Sequence, residues 1–192
     1  MFEDTLSLRP PTAVEIRAAA GCCIPELIAT DLRVLFCGIN PGLYSAAAQH
    51  HFARPGNRFW PALHLAGFTP RVLAPNDSPD LLRLGYGITS LVPRATATAR
   101  GVAASELLAG RQRLTGIVGI HRPRWVAILG VGAYRVAFGQ PRAEIGPQQT
   151  PLGDTGIWLI PSPSGANGSY PLVDLVGELR EFYAEIGRHV LY

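Results

Sequence analysis

Residues 35–44, Leu35-Phe36-Cys37-Gly38-Ile39-Asn40-Pro41-Gly42-Leu43-Tyr44, form an apolar run that stops at a polar amide held in a Gly/Pro turn. The run reads as a buried strand and the turn as its carboxyl end, which puts Asn40 at the mouth of a strand. Ligands of open α/β sheets bind in the crevice beyond those ends. This stretch therefore predicts both a fold class and the place of a site.

Reading outward, Arg33 to Gly38 is the first strand, preceded by an Ala-rich helix over Pro11 to Ile28. Helix signals recur at Asn57 to Ala66, Asp80 to Leu84, Ser105 to Ile120, Val131 to Gly139 and Leu172 to Gly187. Leu73 to Pro79 reads as a polar loop. Strands are expected at Gly85 to Val92, Arg124 to Gly130 and Gly156 to Ile160. Such alternation predicts a mostly parallel sheet covered by helices on both faces. At 192 residues, one domain spanning 1–192 is expected, with its core over about 32–187.

Composition narrows the function classes. Hydrophobic residues make up 47% of the chain, yet no apolar run reaches the roughly 18 residues that a membrane span needs. The first residues, with Glu3 and Asp4, do not read as a signal peptide. Cys22, Cys23 and Cys37 lie away from any histidine at ligand spacing, so neither a disulfide framework nor a metal site is expected. The expected setting is cytoplasmic, with no metal and no cofactor.

All 17 basic residues are arginine, and the net charge is +3. The stretches Leu32 to Asn76 and Arg83 to Arg142 are rich in Arg and hold only one carboxylate, Glu106, whereas the chain after Pro171 is acidic. The basic stretches suggest a polyanionic partner, and the acidic tail is an ordinary solvated helix face.

Several motifs have two readings. Gly130-Val131-Gly132-Ala133-Tyr134-Arg135 begins like a dinucleotide fingerprint, but Arg135 stands where the third glycine belongs, so a tight strand-to-helix turn is the default. His50 and His51 are adjacent, the wrong spacing for a helical metal pair, and read equally as loop residues or site residues. Phe52 either plugs the core or offers a flat surface to a planar base, a stack worth roughly 1 to 3 kcal/mol. The loop Pro161 to Ser169 leaves the last strand at the same sheet edge as Asn40. Its small residues suit close approach to a phosphate backbone, or simply a surface turn.

Together the two strand-end loops resemble those of the mismatch-specific uracil/thymine DNA glycosylases, a branch of the uracil-DNA glycosylase superfamily. The resemblance runs from about Leu32 to Tyr183. Gly38, Ile39, Asn40, Pro41 and Gly42 match the first family motif, and the spacing to Phe52 and to Pro55-Gly56-Asn57-Arg58-Phe59-Trp60 fits.

The resemblance implies a three-layer α/β/α sandwich with a small, mostly parallel central sheet. It implies that Asn40 positions a hydrolytic water, and that Phe52 stacks on a base flipped out of the duplex. Backbone groups around Gly38, Ile39 and Phe52 would contact the edge of that base. Ser45, His51 and Asn57 would complete the pocket. Ser162, Ser164, Gly165, Ala166 and Asn167 would enter the duplex, with Arg94 also on DNA. The implied partner is double-stranded DNA containing G·U or related mispairs, bound by a monomer, with thymine and ethenocytosine as further candidate bases.

Two departures stand out. Gly165, Ala166, Asn167 and Gly168 occupy the loop where relatives often carry a bulky Leu or an Arg, and Pro93 follows Val92 where relatives commonly have an acidic residue. A catalytically weak module that binds mismatches or abasic sites is the competing expectation. A small-molecule nucleotide enzyme using the Gly130 turn is the third.

The chain has no lysine, so no side-chain amine can form a Schiff base with an opened sugar. Borohydride should therefore trap no covalent protein–DNA adduct, and abasic product should be cut only on alkali treatment. A trapped adduct on a denaturing gel would contradict this.

Overall fold

The computed structural model describes residues 9–165 and 170–188. In chain order the elements are α1 (Ala13–Ala18), β1 (Val34–Gly38), α2 (Leu43–Ala48), α3 (Phe59–Leu65), α4 (Ser78–Arg83), β2 (Tyr86–Ser90), α5 (Ala104–His121), β3 (Trp125–Leu129), α6 (Val131–Phe138), β4 (Gly146–Pro147), β5 (Gly156–Ile160) and α7 (Leu172–Arg188). The sheet order is β2-β1-β3-β5-β4. Its first four strands are mutually parallel, and β4 pairs antiparallel with β5.

Strand side chains alternate between faces. Val34 and Phe36 of β1 therefore join Ala127, Leu129, Trp158 and Ile160 in one core, covered by α3, α4 and α7. Leu35 and Cys37 join Val126, Ile128, Ile157 and Leu159 in the other, covered by α5 and α6. This is the expected three-layer sandwich. Burial on both faces explains why the strands read as uninterrupted apolar runs. Cys37 packs as an apolar residue, and burial pushes its thiol up to about 12.

From β1 the chain moves to β2 on one side and later returns to β3 on the other. The carboxyl end of β1 therefore lies at the point where the winding direction reverses, the position at which a crevice opens.

The N-terminal helix is much shorter than the expected span of 11–28. Thr12 and Glu15 cap its start reciprocally, and the chain leaves helical geometry at Gly21, whose φ is +79°. Pro25 has no N–H to continue a helix. Instead Leu27 exchanges both backbone hydrogen bonds with Ile88, at 3.0 and 2.8 Å, and covers the outer edge of β2. Two elements have no strong sequence signal, the six-residue α2 directly after the Asn-Pro-Gly turn and the two-residue β4. The expected loop Leu73 to Pro79 contains a 3-10 turn at Pro75–Asp77 and the start of α4.

α5 reaches the site edge through Gly110. A Cβ there would lie 2.5 Å from the Leu91 carbonyl oxygen, a backbone atom that cannot easily move aside. Gly110→Ala would gain about 1 kcal/mol of helix propensity but incur about 1 to 3 kcal/mol of overpacking. The expected result is a lower midpoint in urea; a raised midpoint would show that α5 has room to shift.

Candidate active site

A cleft of about 590 Å³ opens over the carboxyl ends of the parallel strands. It is lined by Gly38, Ile39 and Asn40 from the end of β1, and by Ser45 on α2. His51, Phe52 and Asn57 line it from the loop between α2 and α3. Ser162 and Ser164 join from the loop after β5, so residues separated by more than a hundred positions meet as the sequence predicts.

Asn40 is half-buried and held by its nitrogen. Nδ2 donates to the Pro41 and Arg94 carbonyls at 3.0 and 3.3 Å, and to Thr96 Oγ1 at 2.7 Å. The Thr96 hydroxyl spends its own proton on the Thr98 carbonyl, 2.7 Å away, so toward Asn40 it can only accept. This chain fixes the amide with its NH₂ toward the 94–98 loop. Oδ1 accepts no hydrogen bond among the described residues, so in this cleft-lining residue it is the amide's open acceptor.

Phe52 has a φ of +54°, unusual for a residue with a side chain. Its ring stacks on Phe59 with centroids 4.0 Å apart and planes at 24°. One face meets a core ring, while the half-buried ring also lines the cleft. A Cβ at Gly38 would touch the edge of the Phe52 ring at 3.5 Å, an ordinary van der Waals distance, so the ring lies directly beside the end of β1.

The remaining lining residues hold the loops in place. Ser45 Oγ accepts from the Ala53 N–H at 3.1 Å, and Asn57 Oδ1 accepts from the Phe59 N–H at 3.0 Å, starting α3. The Gly38 and Ile39 carbonyls accept from Leu91 and Val92, both at 2.9 Å. Gly130 is a tight turn into α6, where a Cβ would meet Ile39 at 2.8 Å, so Ile39 packs into the space that a nucleotide fingerprint would leave open. Gly165 lies in an adjoining hollow of about 340 Å³ with Arg54, Gly56, Asn57 and Ser164.

Arg94 has an internal partner. Its guanidinium is held by Glu106 through two bonds of 2.5 and 2.6 Å, and it does not line the cleft. That pairing holds the Glu106 carboxyl down to about 2. The contribution of Arg94 to the site is its backbone carbonyl, on Asn40. Arg54 and Arg100 are the exposed arginines that line the cleft, and no carboxylate lines it among the described residues. Ala166 and Asn167 lie outside the described residues. Thr96, Ser90 and Ile24, all in the lining, were not singled out by the sequence; only a polar residue soon after a strand end hinted at Thr96.

Residues 25–184, most of the chain, match the family model described as the Uracil DNA glycosylase superfamily. No helix among the described residues is long and apolar enough to cross a membrane. Nor do those residues gather three or more His, Cys, Asp or Glu side chains where they could hold a metal ion.

His51 is buried, and its Nε2–H donates to the Pro25 carbonyl at 3.0 Å. Burial holds its pKa below the ordinary value, with that hydrogen bond and Glu26 pulling the other way. A lowered folded-state pKa means that the unfolded chain takes up the proton first. The stability this group contributes is therefore present above about pH 6.5 and is lost as pH falls through the lowered value. Between about pH 7 and about pH 5, His51→Gln should lose less urea stability than the wild type. Equal losses would assign the titration to another group.

Proposed function

The chain belongs to the uracil DNA glycosylase superfamily, and we propose that it excises uracil from mispaired duplex DNA by hydrolysing the N-glycosidic bond, without lyase chemistry. The superfamily supports a DNA-acting glycosidase of the hydrolase class. The finer reading is supported by one observation, the cleft-lining Asn40 amide locked through Thr96 with its oxygen left as an open acceptor.

A base inside a duplex is out of reach, so it must be extruded at a cost of a few kcal/mol, least where pairing is already poor. Phe52 would offset part of that cost by stacking on the extruded ring. Arg54 and Arg100 at the cleft would meet phosphates as an uncoordinated basic rim.

In the chemical step the glycosidic bond breaks and its electron pair leaves on the base nitrogen. Water oxygen then bonds to the sugar carbon and loses a proton to solvent. Asn40 Oδ1 accepts a hydrogen bond from that water and aims it. An amide is not a useful base, and no carboxylate lines the cleft among the described residues, so the contribution is orientation rather than deprotonation. Backbone N–H donors facing the base oxygens would stabilise the departing anion. Such a design is slow and independent of metal. A monomer bound to one lesion is sufficient for all of it.

Single-turnover excision tests the proposal on duplexes with uracil, thymine or ethenocytosine opposite each base, and on single strands. Uracil should be released from G·U. The small residues at 165–168 lead us to expect comparable release from A·U. Asn40→Ala should abolish release while retaining DNA affinity. Thr96→Val should lower the rate by about tenfold, the loss of one hydrogen bond to a site group, and Thr96→Ser should restore it. Wild-type binding without release of free base would replace this reading with the mismatch-binding module.

A further inference from the structure

Arg58 stands in an arginine-rich, carboxylate-poor stretch beside the cleft, where it would ordinarily be counted as a phosphate contact. Its hydrogen bonds point elsewhere. Nε donates to the Pro163 carbonyl at 3.3 Å, Nη2 to the Ser164 carbonyl at 2.7 Å, and Nη1 to the Tyr170 carbonyl. The backbone N–H of Arg58 adds a second bond to Pro163, at 3.0 Å. One guanidinium thus joins the strand-end loop where it leaves β5 to the chain where it enters α7.

The loop needs such an anchor. Residues 162–165, Ser-Pro-Ser-Gly, carry no large apolar side chain that could plug the core. Gly165 seats against Gly56 so closely that a Cβ would lie 2.8 Å from the Gly56 carbonyl oxygen. The seat, residues 56–58, runs directly into Phe59, which supports Phe52. The flat ring at the cleft and the second strand-end loop are therefore mounted on one short segment.

We propose that Arg58 is a positioning residue that sets the second strand-end loop relative to Phe52, and not a phosphate contact. Only a planar fork with several divergent N–H groups can reach three carbonyls at once; a lysine ammonium keeps the charge but not the geometry. The consequence for catalysis rests on the glycosylase reading, whereas the consequence for the loop does not.

The test uses Arg58→Lys and Arg58→Ala in the full chain. In both, amide hydrogen exchange at Ser164, Gly165 and Tyr170 should rise by about tenfold, with the strands unchanged. Uracil excision from duplex should fall by about tenfold, the loss of one or more charge-assisted bonds. The slope of log affinity against log salt should not change; losing a phosphate contact would reduce it by about 1. Wild-type exchange at those amides in Arg58→Lys would overturn the proposal. So would undiminished duplex excision in that variant, or a salt slope reduced by about 1 in Arg58→Ala. If the wild type released no base, the proposed function would fail, and the exchange data would still decide whether Arg58 holds the loop.

Discussion

The bond from Asn40 Nδ2 to Thr96 Oγ1 is the constraint on which the site depends. An asparagine amide is nearly symmetric in shape but opposite in polarity at its two ends, so its usefulness rests on which end is left open. Thr96 settles that because its proton is committed to Thr98. Thr96 is in turn set by its backbone N–H on the Pro41 carbonyl, and neighbouring Ala95 is bonded on both sides, to Gly21 and Cys22. The orientation of one side chain is thus fixed by the N-terminal segment, the turn after β1 and the loop after β2 together.

The sheet was legible in the sequence because burial on both faces leaves a signature that few other structures produce: Val126 to Leu129 and Ile157 to Ile160 have no polar interruption. Asn40 was legible for the converse reason, as a polar group ending such a run. What was not legible depends on distance in space. Ala18 to Ala20 looks as helical as the residues before it, and the outcome is decided by Gly21 and by a partner strand some sixty residues away. Thr96 sits in an alternation of Ala and Thr that resembles any loop. Its role exists only because the ends of β1 and β2 lie side by side.

Charge counting illustrates the same limit. The sequence shows an arginine excess but not which arginines are already committed. Arg94 is taken by Glu106, brought to it by the first turn of α5. Arg113 bonds Glu26 and the Ser90 carbonyl, Arg71 bridges Asp77 and Asp80, and Arg58 is bonded to loop carbonyls. A basic composition here serves internal architecture as much as attraction to a polyanion. The field available to a ligand comes from fewer residues than the total suggests.

The pairing of Leu27 with Ile88 has a consequence beyond the site. β2 lies at the rim of the sheet, and an uncovered rim strand is a template for pairing with another chain. The single Leu27–Ile88 bridge, set between Pro25 and Ile28, occupies part of that rim with the chain's own N-terminal segment. The same N-terminal segment thus covers part of the sheet rim through Leu27 and holds Ala95, beside Thr96, through Gly21 and Cys22, so a shortened version of this protein that began near β1 would lose both supports together.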